Sequence, residues 1–213
     1  MTTLLLVRHG QTAWNHELRY QGQIDTALNH LGRAQAVRLA ERLRGENIAA
    51  VYSSDLARSA ETARIVASPH GLTPVLLPEL READYGEWQG LSYAEVHARY
   101  PDLVQARRTD VAGFAPPQGE SLGQTHERAR AAIENVAARH PRETVLVVTH
   151  GGPLRMLIAG ILGMPANRAF ALRLDNCGLT ICESFPKSPT IATLNETCHL
   201  RGLAVPADPA LGN

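Results

Sequence analysis

Two unbroken apolar tetrads in this chain each run straight into a histidine and a glycine. Leu4–Val7 is followed by Arg8, His9 and Gly10, and Val145–Val148 by Thr149, His150, Gly151 and Gly152. A strand with one wet face alternates apolar and polar residues, so runs without alternation predict strands covered on both faces. Such strands belong mostly to parallel sheets sandwiched between helices. The intervening sequence supplies the helices. Within Leu31–Leu43, Ala36, Leu39, Ala40 and Leu43 recur at helical spacing. Ala49–Tyr52 reads as a second strand, and Ser53, Ser54 and Asp55 as caps for a helix running to about Ala67. Val75–Leu77 is a third strand. Ser92 with Glu95 and Ser121 with Gln124 have the spacing of capping boxes. The first opens a short helix ending near Tyr100, and the second a helix with Ala129, Ala132, Ile133 and Val136 on one face. Gly151-Gly152-Pro153 turns into a helix buried through Leu154, Leu157, Ile158 and Ile161, with proline early enough that its missing N–H costs nothing. Ala169–Leu174, Leu179–Glu183 and Thr190–Leu194 are later strand candidates.

Strands alternating with amphipathic helices predict an α/β fold, a three-layer sandwich with a mainly parallel central sheet flanked by helices. Pro101–Gly119 lacks periodicity and reads as loop, so residues 91–119 are expected to form a small lid over the carboxyl edge of the strands. A length of 213 residues suits one domain, expected over 1–203, with 204–213 as a flexible tail. The formal net charge is zero, so no global field points to nucleic acid or an anionic membrane as partner. Of the 21 cationic side chains only Lys187 is a lysine, a bias that makes arginine informative only where a motif places it. Cys177, Cys182 and Cys198 are odd in number and form no CxxC pair, as expected of reduced thiols in a cytoplasmic protein. The amino-terminal stretch lacks the basic and long apolar regions of a signal peptide, and no apolar run is long enough to span a bilayer. A monomer or a small homodimer fits such a domain.

In parallel sheets ligands bind beyond the carboxyl ends of the strands. Both histidine–glycine junctions fall at that edge, and Arg58 follows the second strand at the same edge. A cluster of two arginines would repel a metal cation, and no metal-ligand spacing is present. Two guanidinium groups, two imidazoles and the N–H groups opening a helix at Gly151 suit an anion instead. The arginine fork matches phosphate bidentately. No glycine-rich nucleotide loop occurs, so no nucleotide cofactor is implied.

Five segments, in order "LVRHGQTAWN", "SSDLARSAETA", "LREADYGEWQG", "PPQGES" and "VTHGG", together resemble the histidine phosphatase superfamily in its phosphoglycerate mutase-like branch, from Leu4 to roughly Cys182. The resemblance implies that His9 is a nucleophile that becomes phosphohistidine. It implies that Arg8, Asn15, Arg58, His150 and the Gly151 N–H bind the transferring phosphoryl group, and that Glu82 is the proton donor. No metal or organic cofactor is implied. On the residues alone Asp84 rivals Glu82 for that role. The neighbouring arginines would disfavour an imidazolium at His9 and keep its lone pair available. The implied substrate is a small-molecule phosphomonoester. Phosphatase is the expected outcome, because the segment before "PPQGES" is short, while Arg107-Arg108 followed by Pro116-Pro117 keeps a phosphoglycerate mutase as the alternative. An inactive phosphoprotein-binding or regulatory module is the reading from another class. Tyr85, Trp88 and Phe114 are candidates for an apolar wall at the pocket mouth, or for packing between lid and sheet.

Overall fold

A computed structural model describes residues 1–203; the expected tail at 204–213 lies outside the described residues. In chain order the regular elements are β1 (Thr2–Arg8), α1 (Ala13–His16), α2 (His30–Leu43), β2 (Ile48–Ser53), α3 (Ala57–Ala67) and β3 (Val75–Leu76). They continue with α4 (Tyr93–Arg99), α5 (Pro101–Thr109), α6 (Leu122–Arg139), β4 (Thr144–Thr149), α7 (Gly151–Ile161), β5 (Leu179–Phe185) and β6 (Thr190–Glu196).

The strands form one sheet in the order β3-β2-β4-β1-β5-β6. β1, β2, β3 and β4 are mutually parallel, while on one side β5 pairs antiparallel with β1 and β6 antiparallel with β5. The two apolar tetrads are the central pair, β1 and β4, and alternate residues supply opposite faces. Leu4, Leu6, Val145 and Val147 enter a core with α6 and α7, whereas Leu5, Val7, Leu146 and Val148 enter one with α2 and α3. Neither face meets water, which is why neither tetrad contains a polar residue. The fold is the expected α/β sandwich.

Three local expectations need correction. Pro101–Thr109 is the helix α5, not loop. Its proline takes the first turn and Asp102 and Arg107-Arg108 suit its two ends, but only Val104 is a buried apolar residue. Arg107 occupies the next inward position, one turn on, which erases the apolar stripe. Second, Ala169–Leu174 is not a strand: Ala166–Ala171 winds as a short 3-10 helix. The carbonyls that a ladder would use are taken by side chains instead, Leu172 O by Arg155 Nε at 3.1 Å and Leu174 O by Arg8 Nη1 at 2.7 Å. Third, none of Ser53, Ser54 and Asp55 caps α3, whose N-cap is Leu56. Asp25 Oδ1, from a distant loop, accepts from the Ala57 N–H at 2.7 Å instead. Both expected capping boxes, at Ser92 and Ser121, are present.

The segment 91–119 lines the cavity at the carboxyl edge of the strands and packs on a small core that it shares with residues before it. Tyr20, Trp88, Val96 and Val104 are its buried centre, with Tyr85, Tyr93, Tyr100 and Phe114 against them.

Candidate active site

Register brings the two histidines together. β1 and β4 are parallel with Arg8 opposite Thr149, and the His9 N–H continues the ladder to the Thr149 carbonyl at 3.0 Å. The next residues, His9 and His150, therefore leave the sheet side by side, with ring centroids 5.0 Å apart. Gly10 serves packing at this point: a Cβ there would lie 2.5 Å from the Gly32 carbonyl oxygen, so the turn after His9 fits under α2 only without a side chain.

His9 is 3 % exposed and His150 0 %. His9 Nδ1 lies 2.7 Å from the Gly10 carbonyl oxygen. A carbonyl only accepts, so Nδ1 carries the hydrogen and the lone pair resides on Nε2. Burial first, then the charges of Arg58 and Arg8, lower the His9 pKa well below the ordinary imidazole value. His150 is lowered in the same way by burial, then by Arg58 and His9. Both rings are therefore neutral at pH 7. Neither nitrogen of His150 has a hydrogen-bond partner among the described residues, which marks a buried polar edge that a ligand would satisfy.

Arg58 is 0 % exposed and is fixed by carbonyls rather than by a carboxylate. Its Nη2 donates to Gly22 O at 2.6 Å and its Nη1 to Ile24 O at 2.9 Å. Its Nε, also buried, has no partner among the described residues. Burial pushes its pKa down to about 10, so it remains a cation in neutral solution. Arg8 donates to Leu174 O and lines the same cavity of ≈ 360 Å³ as His9 and Arg58. Asn15 belongs to a capping box with Thr12, and its Oδ1 accepts from the Thr12 N–H at 3.0 Å. That leaves Nδ2 as its donor on the cavity side. Gly151, at the first position of α7, also faces the cavity.

Glu82 reaches the cavity and Asp84 does not. The Glu82 carboxylate accepts from the Gly152 N–H at 3.1 and 3.2 Å and from its own chain at Ala83 N, 2.9 Å. Asp84 instead turns back on its own loop to accept from the Gly86 N–H at 2.9 Å. Gly152 is needed here, since a Cβ would lie 2.2 Å from Glu82 Oε1. Of the residues singled out from the sequence, Arg8, His9, Asn15, Arg58, Glu82 and Gly151 thus line one cavity. His150 is not in that lining; it is wholly buried, with its ring against that of His9.

Asn176, Arg155 and Phe170 are neighbours that the sequence does not reveal, whereas Arg107 belongs to the Arg107-Arg108 pair noted there. Asn176 Nδ2 donates to the His9 carbonyl at 2.8 Å, across 167 positions, and only the antiparallel pairing of β5 with β1 brings it there. Arg107 and Arg155 flank the ring of Phe170 in the same cavity, at 5.1 and 5.6 Å from its centroid. Of the three aromatic candidates Tyr85 lines the cavity, whereas Trp88 is wholly buried and packs on Phe114 with ring centroids 5.5 Å apart. Those two belong to the lid core.

The model of the histidine phosphatase superfamily, branch 1, matches residues 4–197. This chain belongs to that superfamily. It is 32 % identical to phosphoserine phosphatase 1 of Hydrogenobacter thermophilus, over 99 % of this chain and 100 % of that protein. It is 36 % identical to a probable phosphoglycerate mutase GpmB of Yersinia pestis, over 94 % and 95 %. Among solved structures a mycobacterial glucosyl-3-phosphoglycerate phosphatase superposes with a TM-score of 0.83 at 34 % identity, covering 92 % of this chain and 99 % of that one. This superfamily member is accordingly an enzyme of the phosphatase or phosphoglycerate mutase-like kind. No helix among its described residues is long and apolar enough to cross a membrane.

Proposed function

We propose that the protein is a phosphatase of small organic phosphomonoesters that works through a phosphohistidine on His9. The observation that carries this reading is the orientation of His9, with Nδ1 pinned to the Gly10 carbonyl and the lone pair of Nε2 left free beside a second neutral imidazole and two arginines. A phosphoryl group seated against Arg8, Arg58, Asn15, His150 and the Gly151 N–H meets Nε2 with its equatorial oxygens already paired. Charge spread over those oxygens in transfer is then stabilised without reorganisation. As the N–P bond forms, the P–O bond to the organic group breaks, and the leaving oxygen takes the proton of Glu82. Water then attacks phosphorus, giving its proton back to Glu82 while the N–P bond returns its electron pair to Nε2. Inorganic phosphate leaves and the enzyme is restored. No step calls for a metal or an organic cofactor.

Arg107 and Arg108 from α5 and Arg155 from α7 line the same cavity. Their charges support a substrate whose organic part carries a second anionic group. The same charges favour the mutase reading, in which the phosphoryl group returns to a second hydroxyl. Phosphate release and conversion of 3- to 2-phosphoglycerate, measured on one preparation, separate the two. Hydrolysis should exceed conversion; conversion outpacing hydrolysis would replace the phosphatase by a mutase.

A further inference from the structure

The segment "PPQGES" is placed beside the loop that carries Glu82, and no step so far uses it. Glu120 and Arg128, from that segment and from α6, form a bidentate pair, Nε to Oε1 at 3.0 Å and Nη2 to Oε2 at 3.0 Å. The other N–H groups of Arg128 all go to backbone. Nη1 donates to Glu79 O at 2.7 Å and Arg81 O at 2.8 Å, and Nη2 to Glu82 O at 2.9 Å. Every guanidinium hydrogen is thereby spent, a pattern that a lysine with one nitrogen cannot reproduce. Glu120 completes the grip from the other end, accepting from the Asp84 N–H at 3.2 Å and from Gln23 Nε2 at 3.3 Å. Gln23 Nε2 also reaches Glu82 O at 3.2 Å. The Glu120 N–H donates to Asp84 O at 2.8 Å, and Gly119 presses so closely on that oxygen that a Cβ would sit 2.5 Å from it.

From this geometry we infer that the Arg128–Glu120 pair is a positioning device for the proton donor, holding the backbone on both sides of Glu82 so that its carboxyl stays at the leaving oxygen. Neither residue lines the cavity and every Arg128 N–H is already engaged, so both act through the backbone around Glu82. Such a pair is worth little as a surface ion pair, yet it fixes a loop whose residues from Arg81 to Asp84 lie in no helix or strand. The inference rests on the proposed role of Glu82.

A leaving group that departs without a proton tests this separately from folding. Arg128→Lys, Glu120→Gln and Glu82→Gln are compared by kcat/KM on glycerol 2-phosphate, whose alkoxide needs protonation, and on 2,4-dinitrophenyl phosphate, whose phenolate does not. That ratio ends at formation of the phosphohistidine and so leaves out the later step in which Glu82 is the base. General acid catalysis contributes about 10²–10⁴-fold. Glu82→Gln should therefore lose on the order of 10²-fold or more on the alkyl ester and less than about threefold on the dinitrophenyl ester. Arg128→Lys and Glu120→Gln should show the same selectivity, with about tenfold or greater loss confined to the alkyl ester. Equal losses on both esters, or none, in the two positioning variants while Glu82→Gln remains selective would overturn the inference alone. An unselective Glu82→Gln would instead remove the role of Glu82 on which it rests. Should Arg128→Lys fail to fold, the isosteric Glu120→Gln carries the same comparison.

Discussion

Gly152→Ala should separate stability from activity. Gly152 occupies the second position of α7, with ordinary helical backbone, so alanine suits it locally and would add up to about 1 kcal/mol of helix propensity. The added Cβ, however, would lie 2.2 Å from Glu82 Oε1. Carbon and oxygen ordinarily meet no closer than about 3.3 Å, so the carboxylate must retreat by roughly 1 Å. It can do so, being the far end of a flexible side chain, and the fold should survive. A catalytic group displaced by about 1 Å costs on the order of 10²-fold in rate, or about 2.7 kcal/mol of transition-state stabilisation. The assay is kcat/KM for an alkyl phosphomonoester alongside thermal denaturation. The expected result is a loss near 10²-fold with an unfolding free energy within about 1 kcal/mol of the parent. Activity within about threefold of the parent, in a protein that folds, would refute the claim that Glu82 must sit where Gly152 allows it.

The buried imidazoles predict a pH dependence of stability. His9 and His150 have folded pKa values well below 6.5, so the unfolded chain binds more protons than the folded one between those values and 6.5. The stability they contribute is present above pH 6.5 and is lost as pH falls below it, at up to about 1.4 kcal/mol per pH unit for each ring. Urea denaturation of His150→Asn should show a shallower decline than the parent as pH falls below 6.5; an identical slope would mean that His150 is not held neutral. Trp88→Ala should cost about 3–5 kcal/mol, because the indole is the wholly buried centre of the lid core. A cost under about 1 kcal/mol by the same method would show that the lid does not depend on that core.

Those parts of the fold and site that depend on local chemistry are legible in the sequence. An apolar tetrad covered on both faces looks the same wherever it occurs, and Leu4–Val7 and Val145–Val148 are readable for that reason. Residues adjoining those strands, His9 and His150, inherit their place from parallel register, so the strand ends alone locate them. What stays hidden depends on distant partners. The helix α5 escapes a periodicity reading because Arg107 fills an inward position against Tyr20, Tyr85 and Phe170, a placement of charge that no apolar stripe reports. The stretch "AFALRL" imitates a strand because Ala169, Leu172 and Leu174 are all buried, while its carbonyls serve Arg8 and Arg155. Asn176 and the Arg128–Glu120 grip on the Glu82 loop have no local signature at all, since each is made by elements far apart in the chain.

The central claim is that phosphorus is carried on one imidazole nitrogen of His9. Turnover of a phosphomonoester, stopped in alkali within milliseconds and followed by peptide mass spectrometry, tests it most directly. A phosphoryl group on His9, stable to base and labile to acid, and absent from His9→Ala, is the predicted result. Full turnover with no phosphorylated His9 at any time, or an active His9→Ala enzyme, would contradict it.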